Sequence, residues 1–108
     1  MYTEKDFEAV KNIILKGVPS VSGIILFGSY ARGTAKEESD MDILIILEKK
    51  YGWRERQIVL NGIYRDTARK GYLIDFVLQA KEEFEIDKKL PTTSKLIAEE
   101  GRLLWMKA

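Results

Sequence analysis

The sequence predicts an α/β fold of the α+β kind: one small mixed β-sheet with its helices mainly on one face. Three observations predict it. Short apolar runs of strand length stand at Ser22–Phe27, Met41–Leu47 and Tyr72–Leu78. Helical periodicity precedes the first run and separates the second from the third. Finally, the 108 residues fit one domain, residues 1–108, with a modest core that needs no staples.

In chain order, the first element is a helix from Glu4 to Lys16. Thr3 can cap it, Asp6 stands where a capping-box acid would, and Phe7, Val10 and Ile14 recur at helical spacing. Gly17 stops it and Pro19 prevents its resumption. Ser22–Phe27 is then a short buried strand. The following "GSYARGTAKEES" is too polar and too punctuated by glycine for a long helix, so a single turn at Ser29–Arg32 and a loop are expected. Met41–Leu47 is the second strand. Its "ILIIL" shows no alternation, so both of its faces should be covered.

Lys49–Gly52 makes a turn into a long helix, about Trp53 to Lys70, with Val59, Leu60, Ile63, Tyr64 and Ala68 on one side and Gly71 as its stop. Gly62 inside it costs about 1 kcal/mol against alanine, which points to close packing or a slight bend. Tyr72–Leu78 is the third strand. "KEEFEIDKKL" is a short helix ended by Pro91, "TSKLIAEE" another stopped by Gly101, and "RLLWM" a last strand at a sheet edge. No repeat, low-complexity tract or linker interrupts the chain.

Composition narrows the chemistry. A net charge of +1 argues against a nucleic-acid coat or a membrane-surface role, so nucleic acid is not expected as the main partner. No apolar run approaches the roughly 18 residues of a membrane span, and the acidic start (Glu4, Asp6) does not resemble a signal peptide; a cytoplasmic location is the expectation. There is no Cys, which removes thiolate nucleophiles and Cys-type zinc sites, and no His, which removes the commonest general base. Any metal must be held by oxygen, pointing to Mg²⁺, Mn²⁺ or Ca²⁺.

Asp40 and Asp42, two apart at the mouth of the second strand, can point to the same face. Taken alone, an Asp-x-Asp is usually a solvated turn. Asp75 weakens that reading, because it interrupts the apolar "YLIDFVL", where an unpaired acid costs several kcal/mol unless compensated or at an edge. If the third strand lies beside the second, the three acids converge. At about 4 Å and an effective dielectric near 20, each pair repels by roughly 4 kcal/mol. Such a cluster persists with cations in it or with a proton on one member. A pairing of Asp75 with an arginine such as Arg32 is an equal alternative at this point.

Gly28 follows the first strand directly, and Ser29 can open a helical turn whose N–H groups, with the serine hydroxyl, make an anion site. A Gly-Ser turn alone is weak. The pattern is neither a P-loop, lacking its lysine and spacing, nor a nucleophile elbow, lacking its second glycine and any histidine. A phosphate cradle on one strand facing metal-binding carboxylates on the next suits in-line displacement at a nucleoside triphosphate.

These residues closely resemble the signature of the minimal nucleotidyltransferases of the DNA polymerase β superfamily, G-S-x-A-R-G-x(5)-S-D-x-D. It stands here as Gly28-Ser29-Tyr30-Ala31-Arg32-Gly33, then Ser39-Asp40-Met41-Asp42, with Asp75 in "LIDFVL" matching the third acid and "IAEEGRLLW" the family's ending. The resemblance implies a nucleotidyltransferase fold in which Gly28 and Ser29 hold the outer phosphates, with Arg32, Gly33 and Ser39 about them. Arg32 as a brace of the loop is equally open, and Ser39 more readily orients the acid loop than reacts. Asp40, Asp42 and Asp75 would bind two Mg²⁺ ions and catalyse transfer of a nucleoside monophosphate, AMP from ATP being the first expectation, with release of pyrophosphate.

The family further implies a partner: minimal nucleotidyltransferases are commonly paired with small helical HEPN-domain proteins in toxin–antitoxin modules, where they serve as antitoxins by attaching AMP to a partner tyrosine. A second copy of the chain is another expected source of missing surface. The enzymatic rival transfers the nucleotide to a small-molecule hydroxyl, as antibiotic-modifying relatives do, and needs a cleft this chain is expected to be too short to build alone. The non-enzymatic rival is an antitoxin that neutralises by binding only. Trp53 and Trp105 are expected in packing or interfaces, Tyr30 as solvent-side filler, and Lys49, Lys50, Arg54 and Arg56 as a solvated face before a partner or RNA contact.

Overall fold

The computed structural model describes residues 1–108. Its centre is β2 (Met41–Leu47), in which every residue except Asp42 is buried. Full burial on both faces is what an unalternating apolar run requires, and the sheet supplies it. The order is β3 (Ile74–Ala80), β2, β1 (Val21–Phe27), β4 (Arg102–Met106). β1 runs antiparallel to both β2 and β4, while β2 and β3 are parallel. The sheet is mixed, and RLLWM is an edge strand, as expected.

Helices cover the two faces unequally. α1 (Glu4–Gly17) and α3 (Trp53–Arg69), 14 and 17 residues long, lie over one face. Phe7, Val10, Ile14 and Ile63 there meet Ile24, Leu26, Met41, Ile43 and Ile45 in the main core. α1 starts with the expected capping box, Thr3 and Asp6 satisfying each other's backbone N–H groups. The other face carries only α4 (Lys81–Asp87) and α5 (Thr93–Glu100), whose Phe84 and Ile97 pack on Leu44 and Ile46. The short helix α2 (Gly28–Arg32) follows β1 without a break. No helix is long and apolar enough to cross a membrane.

Several boundaries and faces differ from the sequence expectation. β3 begins at Ile74, opposite Met41, not at Tyr72. Tyr72 is held outside the ladder by its hydroxyl bond to Asp6, and the Leu73 N–H donates to the Tyr2 hydroxyl at 2.8 Å. In α3 the buried position is Thr67, not Ala68: it lies four residues after Ile63, and its hydroxyl donates to the Ile63 carbonyl. Gly62 is not closely packed; a Cβ there would meet only the tip of Arg65.

The free side of β3 is capped by α3. The Phe76 N–H donates to the Tyr64 hydroxyl at 3.0 Å, and Arg56 donates to the Leu78 carbonyl at 2.8 Å. Main-chain groups left over at a sheet edge invite strand addition, and these side chains occupy them.

Gly101 joins α5 to β4 at the tightest point of the second face. A Cβ there would lie 2.4 Å from the Ile97 carbonyl oxygen and 2.5 Å from Ile25 Cγ2. Its backbone conformation is open to any residue, so the constraint is space alone. Gly101→Ala should therefore push α5 off β1 and cost about 1–3 kcal/mol, the usual range for overpacking. Urea denaturation should show a lower midpoint with an unchanged slope.

Candidate active site

The strand registers bring the sequence-predicted acids together. Phe27 pairs with Asp42 across β1–β2, and Asp42 pairs with Asp75 across β2–β3. Register partners on neighbouring parallel strands sit about 4.8 Å apart with side chains on a common face. Counting by twos, Asp42 shares its face with Leu44 and Ile46, which pack beneath α4 and α5. The acids thus lie on the thinly covered face. Asp40 stands one residue before β2.

The carboxyl of Asp42 is raised above the ordinary aspartate range, first by its partial burial, then by the charges of Asp75 and Asp40, with Arg32 opposing. Asp42 therefore feels the charge of both other acids. No three carboxylates of the chain stand close enough as they are to enclose a cation. The donor chemistry nonetheless fits a hard divalent ion: oxygen only, no competing imidazole or thiolate, and mutual repulsion that such an ion would relieve.

Asp75 makes no ion pair; the five salt bridges of the chain lie elsewhere, so the alternative pairing with Arg32 is not formed. The cost foreseen for an acid inside an apolar strand is also avoided. β3 is the edge strand, and Asp75 is exposed on it.

Gly28 sits directly against Asp42. Its φ of +72° lies in the left-handed region, and a Cβ would fall 2.1 Å from Asp42 Oδ2. Glycine is required here for both reasons. The residue before α2 is Phe27, whose side chain offers no cap to the first-turn N–H groups. Arg32 is exposed and lines a cleft of about 210 Å³ together with Gly28, Asp42 and Thr93. Gly33 ends α2 at φ +76°. The hydroxyl of Ser39 accepts from the Lys36 N–H at 2.8 Å, closing the turn that delivers Asp40, in keeping with an orienting part.

Tyr30 corrects an expectation. It is not solvent-side filler but packs edge-on against Phe7 and beside Tyr2, and its hydroxyl accepts the Tyr2 N–H. Tyr2 in turn stacks edge-on against Tyr72. These aromatics tie α2 to the start of β3, and hence the glycine-serine turn to the strand of Asp75. A second cleft, a trough of about 530 Å³, adjoins the first: Phe27, Thr93 and Ile97 line both. The sequence reading missed Phe27 and Thr93, because their exposure to a cleft depends on where α5 lands on the sheet, which no local spacing encodes.

Comparison with known proteins agrees with this geometry. The family described as nucleotidyltransferase domain matches residues 8–104. Two candidate protein adenylyltransferases of Methanocaldococcus jannaschii, MJ0141 and MJ0604, are each 35% identical, over 77 and 86 residues. The matches cover 71% and 79% of this chain, and 76% and 79% of theirs. Among solved structures, a toxin–antitoxin with AMP-PNP aligns with TM-score 0.64 at 19% identity, covering 94% of this chain and 73% of that one. A complex of a tri-AMPylated Shewanella oneidensis HEPN toxin with its MNT antitoxin aligns with TM-score 0.57 at 15% identity, covering 96% and 72%. At these identities the structures speak for the fold. With its signature residues gathered at one end of the sheet and its family matched over nearly the whole chain, this protein belongs to the nucleotidyltransferase domain family and is a nucleotidyltransferase.

Proposed function

We propose that the protein transfers AMP from ATP to a hydroxyl of a partner protein in the cytosol, with Mg²⁺, as the antitoxin of a pair whose other member is a HEPN-type helical protein. The observation that carries the reading is the register pairing of Asp42 with Asp75 beneath a Cβ-less Gly28. The names of the M. jannaschii relatives and the AMPylated HEPN complex support the acceptor and partner.

Asp40, Asp42 and Asp75 would hold two Mg²⁺ ions, which when bound neutralise the triphosphate and ease ionisation of the attacking hydroxyl. The free N–H groups at the start of α2, with Ser29 and Arg32, would hold the outer phosphates. Asp75, exposed at the sheet edge, faces the side from which an acceptor must come and would take its proton. The freed oxygen attacks the α-phosphorus, the bond from that phosphorus to the bridging oxygen breaks, and pyrophosphate leaves with the electron pair.

Labelled ATP tests this directly. Incubated with Mg²⁺ and the protein encoded beside it, ATP labelled at the α-phosphate should mark protein, and ATP labelled at the γ-phosphate should not. Transfer of the γ-label would mean phosphoryl transfer and sink the proposal. A small-molecule hydroxyl is the second reading. The trough favours it, since about 530 Å³ beside the cleft of Asp42 is ample for a small acceptor. Label recovered on added small alcohols but never on protein would select it.

A further inference from the structure

α3 starts before it reaches the core. All of residues 53–58 are exposed, and the first fully buried side chain on the helix is Ile63. The projecting turns carry Trp53 and Ile58, 76% and 67% exposed. Packing or an interface was the expectation for Trp53; its exposure leaves the interface, since a large apolar side chain so far out is uncommon on a surface that meets only water. Beside it in the chain stand Lys49, Lys50, Arg54 and Arg56, with Glu55 the sole acid between positions 49 and 58. In a chain of net charge +1, this is a local concentration of positive charge. Trp and Arg together are also the residue types that dominate protein interfaces.

We infer that this projecting start of α3 docks an acidic, apolar-bearing segment of a protein partner, which the adjoining trough leads toward Asp42 and Asp75. The trough begins at Lys50, Tyr51 and Arg56, beside the patch, and ends at Phe27, whose register partner is Asp42. A docked chain thus has a continuous path from the helix to the carboxylates. Protein is favoured over nucleic acid on two grounds. The Arg54 guanidinium lies 5.9 Å from the centre of the Trp53 ring, over the face a base would stack on, and Ile58 offers a base nothing to pair with. The inference rests on the proposal that the acceptor is a protein.

The test uses Trp53 as its own reporter, in a Trp105→Phe background that leaves one indole. The probes are a pool of short peptides randomised over Asp, Glu, Leu, Ile and Tyr, a matching pool with Lys and Arg for the acids, and an oligouridine RNA. The acidic pool alone should shift Trp53 emission to the blue, and Lys49→Glu with Arg54→Glu should weaken its binding roughly tenfold or more. Binding of a non-hydrolysable ATP analogue should not change in that variant. A response to RNA in place of acidic peptide, no response to either, or indifference to the charge reversal overturns the inference. In the unmodified chain, label transfer to the acidic pool separates the two ideas. Peptide that binds at Trp53 without accepting α-label leaves docking standing and the acceptor reading fallen. Equal labelling by wild type and Trp53→Ala does the reverse.

Discussion

Asp42→Asn should abolish nucleotide transfer and leave the protein at least as stable as before. Asp42 is the one acid in register with both the glycine-serine strand and Asp75, so losing its charge removes a donor shared by phosphate and acceptor sides. Metal stabilisation of developing charge is worth several kcal/mol, and each 1.36 kcal/mol is tenfold in rate, so the loss should be roughly a thousandfold. Stability moves the other way. Burial and the charges of Asp75 and Asp40 raise the Asp42 carboxyl above its unfolded value, so the folded chain holds that proton more tightly than the unfolded one. The stabilisation this gives is complete below the unfolded aspartate range and disappears as pH climbs through the raised native value. Above that, the ionised group is a burden that asparagine lacks. Melting curves in metal-free buffer should place Asp42→Asn level with or above wild type at neutral pH, the difference vanishing below the ordinary carboxylate range. Transfer within a few-fold of wild type would remove Asp42 from the site.

Gly28→Ala should cost activity about a hundredfold through one misplaced carboxylate. A residue with a Cβ at φ +72° carries roughly 1–2 kcal/mol of strain. The new methyl, built 2.1 Å from Asp42 Oδ2, must also turn that side chain aside. Misplacement by about 1 Å at a reacting centre can cost 10² in rate. Gly71→Ala separates strain from displacement: its φ is +86°, yet a Cβ there meets nothing within 4 Å. The two variants should unfold at similarly lowered urea concentrations, and only Gly28→Ala should lose transfer. Equal activity in both would show that Gly28 serves the backbone and not the carboxylate.

What the residues disclosed on their own follows from how local each feature is. β2 was legible to the residue because burial on both faces leaves an unmistakable apolar run, Met41–Leu47. The acids were legible because two charges two apart at a strand mouth, and a third inside an apolar strand, have few physical explanations. That β2 and β3 are neighbours was a supposition until the register of Asp42 with Asp75 settled it. Features fixed by distant contacts were hidden. Tyr30 is half-buried against Tyr2 and Phe7, far away in sequence, so its loop setting misled. Whether Trp53 packs in the core or faces an interface was left open by the sequence, because helical periodicity does not say which turns of a helix lie on the sheet; it is exposed. The lining of the clefts by Phe27 and Thr93 depends on α5 folding back over β1 and β2, a placement with no signature of its own.

The tyrosine at position 2 has a practical bearing on anyone handling the molecule. Its amide reaches the ring hydroxyl of Tyr30 on the phosphate-side helix, and its own hydroxyl receives the Leu73 amide just ahead of the strand carrying Asp75. Trimming those opening residues, or fusing a bulky purification handle to them, would loosen both α2 and the entry to β3 at once. Recombinant material intended for enzymology is therefore better tagged at its carboxy-terminal end, where Lys107 and Ala108 lie exposed beyond β4.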